Sequence, residues 1–69
     1  MQELNKTRDA DLTDLVQLGA KLRHARLTRR LRIKDVAERA ACSEGMVSKV
    51  ENGKIAPSLA LLHRLFAAT

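Results

Sequence analysis

The chain has 69 residues, enough for one domain with a small core, and 45% of them are hydrophobic with Phe66 the sole aromatic ring. An interior filled by Leu, Val, Ile and Ala favours packed helices over a β-sandwich. Thirteen Lys and Arg against eight Asp and Glu give a net charge of +5. One cysteine excludes an internal disulfide, and the lack of an 18-residue apolar run excludes a spanning helix, so the chain reads as cytoplasmic.

The charge is unevenly placed. Residues 1–17 hold two basic and four acidic side chains, leaving eleven basic against four acidic in residues 18–69. A small basic domain attracts polyanions by releasing their counterions, which makes nucleic acid the first partner to consider.

Residues 1–12 have no sustained apolar period and are expected to be a flexible arm, with one domain over 13–69. From Leu15, apolar positions at Leu15, Leu18, Leu22 and Ala25 recur at spacings of three and four, which predicts a helix ending near Thr28. Ile33, Val36, Ala37 and Ala40 repeat that spacing in a second, shorter helix, with Asp35 and Arg39 set for an i,i+4 pair. The period breaks at 41–43, where Ser43 offers an oxygen to cap a third helix. That helix presents Met46, Val47 and Val50 and stops at Asn52-Gly53, a dipeptide suited to a left-handed turn. Pro57 forbids continuation, Ser58 caps a fourth segment, and Leu59, Leu62, Leu65 and Phe66 form its apolar stripe.

Two helices of about eight to ten residues joined by a three-residue turn cross steeply, and Ala37 and Ala40 are small where the crossing falls. Such a pair leaves the polar side of its second helix projecting, where it fits a major groove about one helix wide.

Over about fifty of its residues, from Leu18 to Phe66, the sequence resembles the lambda-repressor and Cro family of helix-turn-helix domains, the xenobiotic-response-element (XRE) type. The resemblance is carried by Leu18-Gly19, Leu22-Arg23, Arg26, Leu31, Val36-Ala37-Glu38, Ser43, Val47-Ser48, Val50-Glu51-Asn52-Gly53-Lys54, Pro57-Ser58-Leu59 and Leu62. It is nearest to the subgroup in which the domain precedes an effector-binding cupin barrel. It implies an all-α, lambda-repressor-like bundle of four helices that stops before the family's usual fifth. Either the sequence is part of a longer regulator, or Leu61, Leu65 and Phe66 meet a partner subunit.

The resemblance also implies the contacts. Glu44, Gly45, Ser48 and Lys49 fall where the family meets base edges: Lys49 suits guanine O6 and N7, and Glu44 suits cytosine N4. Ser43, Asn52 and Lys54 fall where it touches phosphate. Arg26 and Glu51 match a structural pair tying the first helix to the third. The sequence departs from the pattern at the start of the second helix, where Arg32 and Ile33 replace a small polar cap and a Gln. Arg32 is therefore expected to reach a phosphate, and Ile33 to pack inward. Ala41 stands where a turn glycine is common. Relatives often present Arg, Gln or Ser where Glu44 and Gly45 stand, which makes base reading sparse and leaves more to Ser48, Lys49 and DNA shape.

No nucleophile, base and orienting group stand at a recognised spacing, and no glycine loop is available to cradle phosphates, so no enzyme activity and no cofactor are expected. His24 and His63 lack companion ligands for a metal, and Cys42 reads as a small core hydrophobe. The function that fits is a transcriptional regulator domain reading an operator in double-stranded DNA as a homodimer, without a membrane partner. The alternatives are an antitoxin, or a protein-interaction adaptor built on the same fold.

Overall fold

A computed structural model describes residues 12–69. Among them are four helices and no strand: α1 Leu12–Thr28, α2 Ile33–Ala40, α3 Glu44–Glu51 and α4 Leu59–Ala67. This is the all-α bundle expected from the spacing, with the order and turn lengths of a lambda-repressor-like helix-turn-helix domain. Leu12 is already helical, so α1 begins before the apolar period at Leu15; the rest of the expected arm lies outside the described residues.

Each short helix is closed by an identifiable device. The Ser43 hydroxyl accepts from the Met46 N–H at 3.0 Å, and the Ser58 hydroxyl accepts from the Leu61 N–H at 3.1 Å, so both serines cap as their positions suggest. Arg32, the residue before α2, has no side-chain oxygen to offer. The Asp35 carboxylate instead accepts the Arg32 backbone N–H at 2.8 Å, which is the returning half of a capping box. Asp35 is thus paired with Arg32 and not with Arg39, whose Nη1 donates to the Ala68 carbonyl at 3.2 Å.

The turn between α2 and α3 is tight because Ala41 takes a left-handed conformation, φ 56° and ψ 50°. There its N–H reaches the Glu38 carbonyl at 3.3 Å, and that of Cys42 reaches the Ala37 carbonyl at 3.0 Å. A β-carbon in this region costs about 1 kcal/mol, and the chain bears that cost again at Arg30, φ 56°. After α3 the left-handed position is held by Gly53, φ 68°, and the Lys54 N–H bonds back to the Lys49 carbonyl at 2.9 Å.

The core is aliphatic. Leu22 of α1, Val36, Ala37 and Ala40 of α2, Val47 and Val50 of α3, and Leu61 and Leu65 of α4 are buried together with Ala68. Ala37 and Ala40 keep α2 close to its neighbours, and Ile33, Cys42, Met46 and Phe66 pack around the rim as half-buried side chains. The expectation that Leu61 and Leu65 would be left for a partner subunit is corrected: Leu65 is wholly buried and Leu61 nearly so, because α4 folds its stripe onto α2. Among the described residues, the large apolar side chains that remain exposed are Val16, Leu27 and Leu59. No helix among the described residues is long and apolar enough to cross a membrane.

Candidate nucleic-acid interface

α3 is two-sided. Val47 and Val50 point into the core at 0% and 1% exposure, while Glu44, Gly45, Lys49 and Asn52 are exposed and Ser48 is half-buried between them. Positions 44, 45, 48, 49 and 52 are one, four, five and eight residues from the first, a spacing that gathers them on one side of a helix. The surface they form is polar and carries both signs of charge.

Three contacts with α1 fix how far this helix stands out. Arg26 reaches Glu51 with two parallel bonds, Nε to Oε2 at 2.6 Å and Nη2 to Oε1 at 3.0 Å, and its Nη1 donates to the Leu31 carbonyl at 3.0 Å. Both side chains are nearly buried, at 10% and 5% exposure, so the pair is shielded from water and salt. The hydrogen bond to Glu51, reinforced by its charge, outweighs desolvation and raises the Arg26 pKa. Gly19 is the second contact: a β-carbon there would collide with the Val50 and Glu51 carbonyls, so α1 crosses α3 at backbone distance. The third is Gly53, which faces the backbone of Val16.

Gly19 appears in the sequence only as part of a familiar dipeptide, and its role in positioning α3 is not read from spacing. The signal was present. A glycine in mid-helix costs about 1 kcal/mol relative to Ala, which calls for a reason such as close approach.

The residues expected to touch DNA lie as follows. Ser43 is exposed at the N-terminal end of α3, and its cap bond serves Met46, leaving the N–H groups of Glu44 and Gly45 outside that bond. Gly45 has open space where a β-carbon would sit, with only the Ser43 Oγ at 3.9 Å. Asn52 is tied to Ser48: its Nδ2 donates to the Ser48 carbonyl at 2.9 Å and to the Ser48 Oγ at 3.3 Å. Ser48 thereby accepts within the helix and keeps its hydroxyl hydrogen to donate outward. Lys49 and Lys54 are exposed and make no ion pair among the described residues.

Arg32 stands at the N-terminal end of α2 with its side chain 76% exposed and its guanidinium loosely against Asp35, at 3.4 Å. The Arg32 backbone N–H, and then its guanidinium, hold the Asp35 carboxyl below the ordinary carboxylate range. Asp35 in turn raises the Arg32 pKa through its hydrogen bond and then its charge, with smaller contributions from Glu38 and Glu44. Arg32 and Glu44, at the leading ends of α2 and α3, therefore share one electrostatic neighbourhood. At 3.4 Å the guanidinium contact is that of a weak surface ion pair.

A family model described as a helix-turn-helix domain matches residues 17–69, which takes in α2, α3, α4 and most of α1. No curated protein and no solved structure matches the chain. The family match covers the turn at 41–43 and the two-sided helix that follows it, the parts from which DNA-binding domains of this kind are made. The chain belongs to the helix-turn-helix domain family.

Proposed function

We propose that this chain is the operator-reading domain of a transcriptional regulator of the lambda-repressor and Cro (XRE) type, with α3 entering the major groove. The observation that carries the proposal is the two-sidedness of α3: its Val47 and Val50 side is sealed in the core, while Glu44, Gly45 and Lys49 face outward beside an uncovered amino end. In this reading Lys49 and Ser48 donate to base edges, Glu44 accepts from them, and Gly45 lets the backbone come close. Arg32, Ser43, Asn52 and Lys54 hold the phosphates on either side.

The regulator binds an inverted repeat as a homodimer in the cytoplasm, because a two-fold operator calls for a two-fold protein. A cupin domain after Thr69 would supply an effector site.

Selection of duplexes from a random pool tests the reading. The parent should enrich a defined half-site, and Lys49→Ala should relax preference at one base position per half-site, with a loss of about 1 to 3 kcal/mol. Duplex binding that shows no sequence preference, or that survives charge reversal at both Lys49 and Lys54, would replace this reading with a protein-interaction adaptor.

A further inference from the structure

Asn52 caps the carboxyl-terminal end of α3, and its side chain turns back one helical turn onto Ser48. Its Nδ2 lies 2.9 Å from the Ser48 carbonyl oxygen and 3.3 Å from the Ser48 Oγ. A carbonyl can only accept, so the amide must present its nitrogen, and not its oxygen, to both atoms. Capping accounts for the contact with the carbonyl, which also accepts the Asn52 backbone N–H at 3.0 Å. It gives no reason for the contact with the hydroxyl.

That second contact decides what Ser48 can offer. A hydroxyl within a helix commonly donates its hydrogen to the carbonyl four residues back, as Thr28 does to His24 at 2.7 Å. Among the described residues Ser48 makes no such bond to the Glu44 carbonyl. With Nδ2 held against the Oγ lone pairs, the hydroxyl hydrogen is directed away from Asn52. It stays available on the side of α3 that carries Glu44, Gly45 and Lys49.

We infer that Asn52 is a positioning residue that determines specificity: it fixes Ser48 as a hydrogen-bond donor and so selects an accepting atom on the base opposite. The inference rests on the operator reading of α3. In the major groove the atoms that fit are guanine O6 and N7, adenine N7 and thymine O4. An amino group in the same place, cytosine N4 or adenine N6, would set hydrogen against hydrogen. A phosphate contact by Asn52 is separable from this role, because its loss weakens every duplex alike, whereas the contact with Ser48 acts at one base position.

The test has two arms. In the free chain, 1H–15N spectra should show the Asn52 side-chain amide resonances displaced by Ser48→Ala, and unchanged resonances overturn the inference. In the second arm, duplexes selected from a random pool by the parent, Asn52→Ala and Asn52→Asp are compared. Asn52 is exposed and outside the core, so neither substitution opens the fold. The parent should prefer an accepting atom at one position per half-site by roughly three- to tenfold, the net worth of one hydrogen bond. Asn52→Ala releases the hydroxyl to rotate and should lose that preference. The carboxylate of Asn52→Asp takes the hydroxyl hydrogen and turns the lone pairs outward, which should move the preference to the amino groups of cytosine or adenine. In a Ser48→Ala background neither substitution should alter base preference. Identical preferences in the parent and both variants, or a change that persists with Ser48→Ala, overturn this inference alone. A parent that enriches no half-site overturns the operator reading, and this inference with it.

Discussion

Gly19 of α1 lies against the Val50 carbonyl of α3 so closely that a β-carbon at position 19 would collide with it. The neighbour is backbone and not a flexible side chain, so α3 as a whole would have to move. Gly19→Ala, which improves helix propensity, should nonetheless destabilise the fold by roughly 2 to 3 kcal/mol, the range for overpacking a rigid contact. Urea denaturation measures this, and a loss below about 0.5 kcal/mol would show that α1 and α3 do not cross at backbone distance.

The Arg26 and Glu51 pair calls for a double-mutant cycle. Removing either partner strands a nearly buried charge, so Arg26→Ala and Glu51→Ala should each cost about 3 kcal/mol, and the double variant much less than their sum. Arg26→Lys should rescue little, because an ammonium cannot span both carboxylate oxygens and the Leu31 carbonyl at once. Additive losses would mean that the two side chains act independently.

Gly45 separates stability from binding. Nothing in the fold needs a glycine there, since its β-carbon position is open and its φ is not left-handed. Gly45→Ala should therefore raise stability by about 0.5 to 1 kcal/mol through helix propensity alone. Duplex affinity should fall in the same variant if the backbone at 45 approaches DNA. Thermal unfolding and a fluorescence-anisotropy titration read the two effects, and a gain in both would remove Gly45 from the interface.

Acid should weaken the start of α2. The Asp35 carboxyl is held below its ordinary range by the Arg32 N–H and guanidinium, so folding favours its ionised form. A depressed folded-state pKa contributes stability above the unfolded value, and that contribution disappears as pH falls through the folded value. Midpoints of unfolding followed from neutral pH into acid should fall less steeply for Asp35→Asn than for the parent. Identical acid limbs would indicate that the Asp35 cap does not persist in solution.

Much of the bundle is legible in the residues because its signals are local. Spacings of three and four place the helices, Ser43 and Ser58 mark two beginnings, and Gly53 marks an end. The outward side of α3 follows from the same period, since fixing Val47 and Val50 inward leaves Glu44, Gly45 and Lys49 outward. Partner choice is less local. Asp35 could meet Arg32 or Arg39 at helical distances, and the Arg32 N–H prevails because a helix's first turn has unbonded donors to satisfy. Arg39 instead finds the end of α4, a neighbour that helical periodicity does not reveal.

The amino-acid order by itself determined an aliphatic, four-helix chain with a short polar helix after a tight turn, because capping and periodicity act over a few residues. Tertiary structure decided how high α3 stands on α1, through Gly19 and the Arg26 and Glu51 pair. It also decided that Leu61 and Leu65 are core, and that Arg39 and Arg64 bond across the ends of α2 and α4. Those outcomes depend on which helix ends meet in space, and contacts between residues 24 to 29 apart leave no periodic trace in a single sequence.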